Sequence, residues 1–392
     1  MRTATILLLA LLVPPSCAQT PKAPSQPADP APERTEIEAQ APEQKKEAVL
    51  AYFDEMADKL APLVESKLAK EFLAETRALP SIEPFKIYVL PGSVPEGVTE
   101  AQYATLPEEG RQPLRPMMIQ SQRYYQTIYG PPLTYARPLD LVGTVGGWDT
   151  LEGKKILDFG YGQIGQDRLM AQCGADVVGT DVASLLAALY ERESDVQVTG
   201  STGKTGSMKL YQARWPAGDR AINLVGEGYD LFIARDVLRM GRMDPQADLE
   251  PAHRVSLGVY PDYFLSHLNR IMNTGGLVMI YNTGRYPPLD WGDLSLGADI
   301  RSPFSPEQWK DAGFELIKLD ENDDEMMRQH AYALGLDKGK DAIDPERHVF
   351  VRYTLARKIR DLPEHDAGKK PQDDKDVPRT PWGTPIRGNS GG

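Results

Sequence analysis

The chain has 392 residues, of which 41% are hydrophobic and 26% charged, enough for one large domain with appendages. Its net charge of -12 argues against a nucleic-acid partner, because binding to phosphates requires a basic surface. Lysines and arginines are interspersed with acids and form no basic run. The sequence therefore predicts no nucleic-acid partner.

The first 18 residues have the pattern of an export signal. A short charged start precedes the apolar run 3–13, which is too short to span a bilayer as a helix. Cleavage after Ala18 would release a soluble protein. Alternatively, the segment resembles a bacterial lipobox with Cys17 as the lipidated residue, although Pro14 stands where leucine is usual. We expect an exported protein, either periplasmic or tethered to a membrane through Cys17.

Residues 19–45 are rich in Pro, Ala, Gln and Glu, which predicts a disordered linker. Residues 46–140 predict an N-terminal helical cap. Apolar residues recur there at three- and four-residue steps between 43 and 79, and Pro62 should interrupt the helix. One strand is expected at 85–90. Residues 361–392 are polar and rich in Pro and Gly, which predicts a disordered tail.

Short apolar runs alternate with helical patterns between residues 154 and 355. This alternation predicts an α/β fold over residues 141–360, with a doubly wound, mostly parallel seven-stranded sheet, helices on both faces and an antiparallel last strand. The predicted strands include 156–157, 176–180, 208–211, 230–234, 277–281, 314–319 and 349–353. The predicted helices are 163–173, 184–193, 261–272 and 305–312. Cys173 ends the first of these helices and is expected to be a buried structural thiol.

A glycine-rich turn follows the first predicted strand and leads into a helix. Gly160, Gly162 and Gly165 let the backbone turn tightly and let a ligand approach closely. About twenty residues further on, Asp181 ends the second strand and is placed to accept the hydroxyl groups of a ribose. This pattern suits NAD as well as S-adenosylmethionine. Asp158 favours the second, because its negative charge repels a diphosphate and attracts a cationic sulfonium ligand.

With Asp158 included, the segment resembles motif I of class I S-adenosylmethionine-dependent methyltransferases, a D-x-G-x-G pattern. The resemblance extends over residues 154–355 and implies that S-adenosylmethionine is the cofactor. Arg214 stands where this family usually has an adenine-binding acid, and the neighbouring Trp215 is expected to stack on the adenine ring. The cofactor-binding residues that the resemblance implies are Asp158, Gly160, Tyr161, Gly162, Gly165, Asp181, Val182, Arg214, Trp215 and Arg235.

Two strand-end residues are candidate catalytic bases for methyl transfer. Asp236 follows the fourth strand of the resemblance and Tyr281 ends the fifth, where sites of α/β proteins lie. The alternatives are a salt bridge of Asp236 with Arg235 or Arg239 and simple packing of Tyr281. Gly203-Lys204-Thr205 hints at a phosphate loop but lacks its first glycine, and the five histidines lack metal-ligand spacing, so no metal is predicted.

The methyl acceptor is not specified by the sequence; we expect a small molecule or a protein. Export would carry the protein away from the cytosolic supply of S-adenosylmethionine. A second hypothesis is therefore a non-catalytic exported binding module that retains the methyltransferase fold. A third hypothesis, an NAD-dependent oxidoreductase, is disfavoured by Asp158.

Overall fold

The computed structural model describes residues 47–90, 96–127, 130–217, 219–239, 261–284, 299–338 and 342–363. The predicted export signal with Cys17, the predicted linker up to residue 45, and residues 364–392 of the predicted tail lie outside these ranges. Within them, every helix is too short or too polar to cross a lipid bilayer.

The N-terminal region begins with a helix pair. Helix α1 is Ala48–Leu60, a 3₁₀ turn occupies Ala61–Leu63, and helix α2 is Lys67–Ala74. Pro62 lies in the 3₁₀ turn, as expected of a residue that lacks an N–H group and cannot continue an α-helix. A further 3₁₀ turn, Glu75–Ala78, follows α2. Both helices bury apolar faces, which confirms the helical periodicity in this stretch.

A small antiparallel sheet follows the helix pair. Its strands are β1 Phe85–Leu90, β2 Glu96–Thr99 and β3 Arg115–Ile119, in the order β2-β1-β3. Of these three strands, only β1 was expected from the sequence. The N-terminal cap therefore contains both helices and strands. The helices of this part are α3 Glu100–Thr105, α4 Glu108–Arg111, α5 Ser121–Tyr125 and α6 Ala136–Thr144, with a 3₁₀ helix at Pro132–Tyr135 before α6.

The central sheet has eight strands in the order β10-β11-β9-β8-β4-β5-β7-β6. Strands β9, β8, β4, β5 and β7 run parallel, whereas β11 is antiparallel to β9 and β10, and β6 is antiparallel to β7. The bounds are β4 Lys155–Phe159, β5 Asp176–Asp181, β6 Asp195–Thr199, β7 Thr205–Gln212, β8 Tyr229–Arg235, β9 Met272–Gly284, β10 Phe314–Asn322 and β11 Phe350–Lys358. The predicted fold class is confirmed, including the antiparallel last strand, with β6 as an additional edge strand.

Helices cover both faces of this sheet. They are α7 Gly165–Gln172, α8 Ser184–Tyr190, α9 Asp219–Val225, α10 Pro261–Ile271, α11 Pro306–Asp311, α12 Asp324–Ala333 and α13 Pro345–His348, with a 3₁₀ turn at Glu191–Glu193. Side chains of successive strand residues enter opposite cores: Ile156 packs in one and Leu157 in the other. The core around Ile156 also contains Leu50 and Phe53 of α1, so the N-terminal region and the sheet share one hydrophobic core. Cys173 is buried there, as predicted.

Candidate cofactor site

The glycine-rich loop connects β4 to α7 at the carboxyl edge of the parallel strands. Gly160 has a φ of 74° and Gly162 a φ of 60°, a left-handed conformation that side chains with a β-carbon rarely adopt. A β-carbon at Gly160 would also lie 2.4 Å from Cγ2 of Val237, which follows β8. Glycine is therefore required at position 160 on conformational and on steric grounds.

Four successive N–H groups of this loop donate hydrogen bonds within the protein. Those of Gly160 and Tyr161 donate to the Thr180 carbonyl at 2.7 and 3.4 Å. The N–H of Gly162 donates to Asp181 Oδ2 at 3.3 Å, and that of Gln163 donates to the Tyr161 carbonyl at 2.5 Å. Loops that bind a diphosphate point free backbone N–H groups at the ligand, whereas these four N–H groups already donate to acceptors within the protein.

Asp158 lies fully buried at the end of β4, directly before the loop. Its Oδ1 accepts a hydrogen bond from the Tyr135 hydroxyl at 2.7 Å, and its Oδ2 accepts one from Gln166 Nε2 at 3.0 Å. Gln166 also donates to the Tyr161 carbonyl at 2.6 Å and so ties the carboxylate to the loop. Burial raises the pKa of Asp158, while hydrogen bonds from Asp167, Gln166 and Tyr135 act in the opposite direction.

Asp167 on α7 is a second fully buried carboxyl group beside Asp158. When Asp167 is ionised, neither of its oxygens has a hydrogen-bond donor among the described residues. Burial, followed by the charge of Asp158, raises the pKa of Asp167 well above its ordinary range. In its protonated form Asp167 can donate a hydrogen bond to Asp158, so the two buried carboxyl groups form a pair.

Asp181 lies at the end of β5 and is half-buried. Its Oδ1 accepts a hydrogen bond from the Ala183 N–H at 2.9 Å, in addition to the bond from Gly162 to Oδ2. Burial raises the pKa of Asp181 to about 6, against the effect of these backbone donors. A carboxylate has about four lone-pair positions, and the backbone N–H groups of Ala183, Gly162 and Val182 act on that of Asp181, so it retains room for a further donor. Val182, also half-buried, follows it.

Two other predicted contacts lie in buried surroundings. Trp215 is 1% exposed and packs with Phe159, Phe232 and Phe264 in the core on the face opposite the cap. Tyr161 is 3% exposed and lies against the Tyr190 ring. Arg214 is half-buried beside Trp215. Stacking of Trp215 on adenine stays a prediction, and the geometry does not favour it because the aromatic core already covers the indole.

Asp236 directly follows β8 in a left-handed conformation, with a φ of 61°. Its carboxylate pairs with Arg235 at 3.2 Å and Arg239 at 2.9 Å, and it accepts a 2.6 Å hydrogen bond from the Thr283 N–H. Burial would raise the pKa of Asp236, but the two guanidinium charges and the Thr283 hydrogen bonds outweigh it and lower this pKa. A carboxylate so stabilised is a weak base, so its catalytic role stays a prediction that the geometry does not favour.

Tyr281 on β9 is fully buried, and its hydroxyl donates to Asp323 Oδ2 at 2.9 Å. Asp323 is also held by Arg137 of α6, with distances of 2.6 and 2.9 Å. Burial, then the charge of Asp323, raises the pKa of Tyr281 well above its ordinary range. Tyr281 is therefore part of a buried polar network with α6, and its predicted catalytic role also stays untested.

The structure thus brings together Asp158, the glycine loop and Asp181, and it places Arg235 with Asp236 at the neighbouring strand end. It adds Tyr135, Gln166 and Asp167, which the sequence did not indicate as site residues. A signal for two of them exists: Gln166 and Asp167 are polar residues in a helix that should turn an apolar side to the sheet. Tyr135 carries no local signal.

No protein-family model matches the chain, and no curated protein matches it. Solved structures similar to it include the magnesium protoporphyrin IX methyltransferase of Synechocystis PCC 6803, with 15% identity, a TM-score of 0.30, and 57% of this chain and 79% of that chain covered. The cyclopropane synthase MmaA2 of Mycobacterium tuberculosis has 15% identity and a TM-score of 0.34, with 58% and 85% covered. The geranyl diphosphate C-methyltransferase of Streptomyces coelicolor A3(2) has 11% identity and a TM-score of 0.36, with 58% and 80% covered.

The fold assignment rests on the strand order of the sheet itself, which is mixed α/β, mostly parallel and flanked by helices. Among the solved structures similar to this chain are S-adenosylmethionine-dependent methyltransferases of the class I fold.

Proposed function

We propose that the chain binds S-adenosylmethionine over the glycine loop between β4 and α7 and transfers its methyl group to a small-molecule or protein acceptor. One observation carries the proposal: the N–H groups of residues 160–163 are used internally, while the carboxyl groups of Asp158, Asp167 and Asp181 surround the loop. A ligand that brings cationic groups gains from this environment, whereas a diphosphate would meet repulsion and would find the N–H groups of residues 160–163 already donated.

The electrostatic case does not require contact between Asp158 and the ligand. Burial is the main cause of the raised pKa values of Asp181 and Tyr161, and the charge of Asp158 adds to the shift of both groups. Arg235 supplies one opposing positive charge near Asp158. The dielectric constant is low in the buried part of the site, so the electrostatic potential of these charges extends to the surface of the glycine loop.

The residues of this chain would act mainly by positioning. S-adenosylmethionine supplies an electrophilic methyl group on a cationic sulfur. Asp181 would accept a hydrogen bond from the ribose, while the left-handed turn at Gly162 would let the ligand lie close to the backbone. Direct displacement at the methyl group needs alignment and exclusion of water rather than a fixed base. A reaction without a fixed base agrees with the weak basicity of Asp236 and with the hydrogen bond that the Tyr281 hydroxyl donates to Asp323.

A second function, a binding module without turnover, is favoured by a specific observation. Trp215 lies in the aromatic core, and both candidate bases are held by buried partners. In such a module the pocket residues need not hold a cofactor. The two functions differ in what Asp181 does, because a methyltransferase depends on it for affinity whereas a repurposed scaffold does not.

The test is calorimetric titration of Asp181→Ala with S-adenosylmethionine. Asp176→Ala, at the exposed start of the same strand, is the matched control. A methyltransferase should lose affinity by about tenfold or more in the first variant, since each lost hydrogen bond to a charged group contributes about 1.5–3 kcal/mol, and should keep it in the second. Equal binding by both variants would reject the proposal and support the module.

We also propose that the protein is exported, on the charged start and apolar run of residues 1–18. Mass spectrometry of the mature N-terminus separates the two processed forms. An acylated Cys17 identifies the lipoprotein, a chain starting at Gln19 identifies the soluble form, and an intact Met1 would contradict export.

A further inference from the structure

The end of the N-terminal cap lies directly on the glycine loop through three contacts. The Thr127 hydroxyl donates to the Gly162 carbonyl at 3.0 Å. The ring of Pro132 occupies the space beside Gly165, where a β-carbon would lie 2.7 Å from the Cβ and Cγ of the proline. The Tyr135 hydroxyl donates to Asp158 Oδ1 at 2.7 Å. The loop is therefore held from the cap as well as from β4 and α7.

Of these three contacts, the hydrogen bond from Tyr135 is made to an ionisable group, the carboxyl group of Asp158. Asp158 is fully buried, and among the described residues its side-chain donors outside the carboxyl pair are Tyr135 and Gln166, one on each oxygen. The Tyr135 ring is 3% exposed, so water cannot readily replace its hydroxyl. A donor to the ionised form stabilises that form and fixes the plane of the carboxylate.

We propose that Tyr135 is a positioning residue of the cofactor site, which keeps Asp158 ionised and oriented beneath the glycine loop. The inference rests on the proposed function, because it assigns to a cap residue the control of the charge that attracts the cationic cofactor. Tyr135 donates one hydrogen bond and transfers no proton. Its own pKa is raised well above the ordinary range by burial and by Asp158, so it stays a donor.

A merely structural tyrosine would support folding without setting the charge of Asp158. The pH dependence of cofactor binding distinguishes a structural role of Tyr135 from a role in setting the charge of Asp158. Asp158 faces Asp167 and Arg235, and the nearby Asp181 has a pKa raised by burial to about 6. Ionised Asp158 favours the cofactor, so affinity should fall as the pH is lowered through the pKa of Asp158, in addition to the part that is due to Asp181. Without the Tyr135 hydroxyl this pKa rises, and the loss of affinity should begin at a higher pH.

The experiment compares Tyr135→Phe with the full-length wild type by titration with S-adenosylmethionine between about pH 5 and about pH 9, the range in which raised carboxyl pKa values are observed. Tyr125→Phe is the matched control, because Tyr125 is also buried in the cap and its hydroxyl donates to the Pro80 carbonyl at 3.0 Å. We expect affinity about tenfold weaker near neutral pH and an acid limb moved to higher pH in Tyr135→Phe, with the control within about twofold of wild type.

A double-mutant cycle with Asp158→Asn separates an effect through the charge of Asp158 from a general loss of structure in Tyr135→Phe. An amide has no ionised form to stabilise, so in this background Tyr135→Phe should change affinity by less than about twofold. Wild-type binding with an unchanged Tyr135→Phe profile overturns the inference and leaves the proposed function intact, as does an equal loss in Tyr125→Phe. Absence of wild-type binding rejects the proposed function and the inference with it.

Discussion

Gly160→Ala is a quantitative test of how the glycine loop is built. An alanine here must adopt the observed φ of 74°, and this left-handed conformation costs an L-residue about 1–2 kcal/mol. Its methyl group would also lie 2.4 Å from Val237 Cγ2. The side chain of Val237 is β-branched and stiff, so overpacking adds about 1–3 kcal/mol. The total loss should be about 2–5 kcal/mol, a large part of a typical stability of about 5–15 kcal/mol.

Gly153→Ala separates the two contributions. Gly153 has a nearly identical φ of 70°, and a β-carbon there meets nothing within 4 Å. It should therefore lose only the conformational part, about 1–2 kcal/mol. In the double variant Gly160→Ala/Val237→Ala, part of the steric loss should be recovered, which appears as a coupling free energy of about 1 kcal/mol or more.

The assay is urea unfolding followed by circular dichroism, with equal m-values required for the comparison. If Gly160→Ala costs no more than Gly153→Ala, Val237 does not press on the loop. If both variants unfold like wild type, the left-handed conformations are not those of the folded protein in solution.

Three further predictions concern buried charges. Because burial raises the pKa of Asp167 in the folded state, the stability of the protein falls as the pH rises from about 4 through that pKa. In thermal unfolding, Asp167→Asn should therefore be more stable than the wild type at alkaline pH. A gain of the same size near pH 4 would contradict this reasoning. Arg137→Ala leaves Asp323 buried without its cation and should cost about 3–5 kcal/mol in urea unfolding, whereas Arg347→Ala at an exposed pair should change stability by less than about 0.5 kcal/mol. Burial raises the pKa of Asp181 to about 6, so the affinity for S-adenosylmethionine should fall as the pH is lowered through that value. Asp181→Asn should remove this part of the pH dependence. An affinity that stays flat or rises below pH 6 would refute the role of Asp181 in binding.

The sequence predicted what depends on local pattern. The glycine loop, the strands before and after it, and Asp181 at the end of β5 lie as expected, because strand, turn and helix signals each occupy a few adjacent residues. The additional strand β6 had a readable signal, since Val196 and Val198 alternate with polar residues before a turn. Gly203 is in that turn with a φ of 81°, so the segment that hinted at a phosphate loop is a hairpin.

Helix α12 was missed for another reason. Its sequence is charged and its partner face is supplied by β11 and the cap, so no strong apolar stripe marks it. Acidic residues in its first turn, Asp324 and Glu325, were the available signal. The contacts that complete the site join residues far apart in the chain, such as Arg137 with Asp323 and Tyr135 with Asp158. Local propensity contains no information about such pairs.

The most direct test of the central claim is calorimetric titration of the wild-type protein, side by side, with S-adenosylmethionine, S-adenosylhomocysteine and NAD. A glycine loop bordered by carboxyl groups, with the N–H groups of residues 160–163 already donated, should bind the first two and leave NAD unbound. Binding of NAD alone would show that the charge around the loop does not select the ligand.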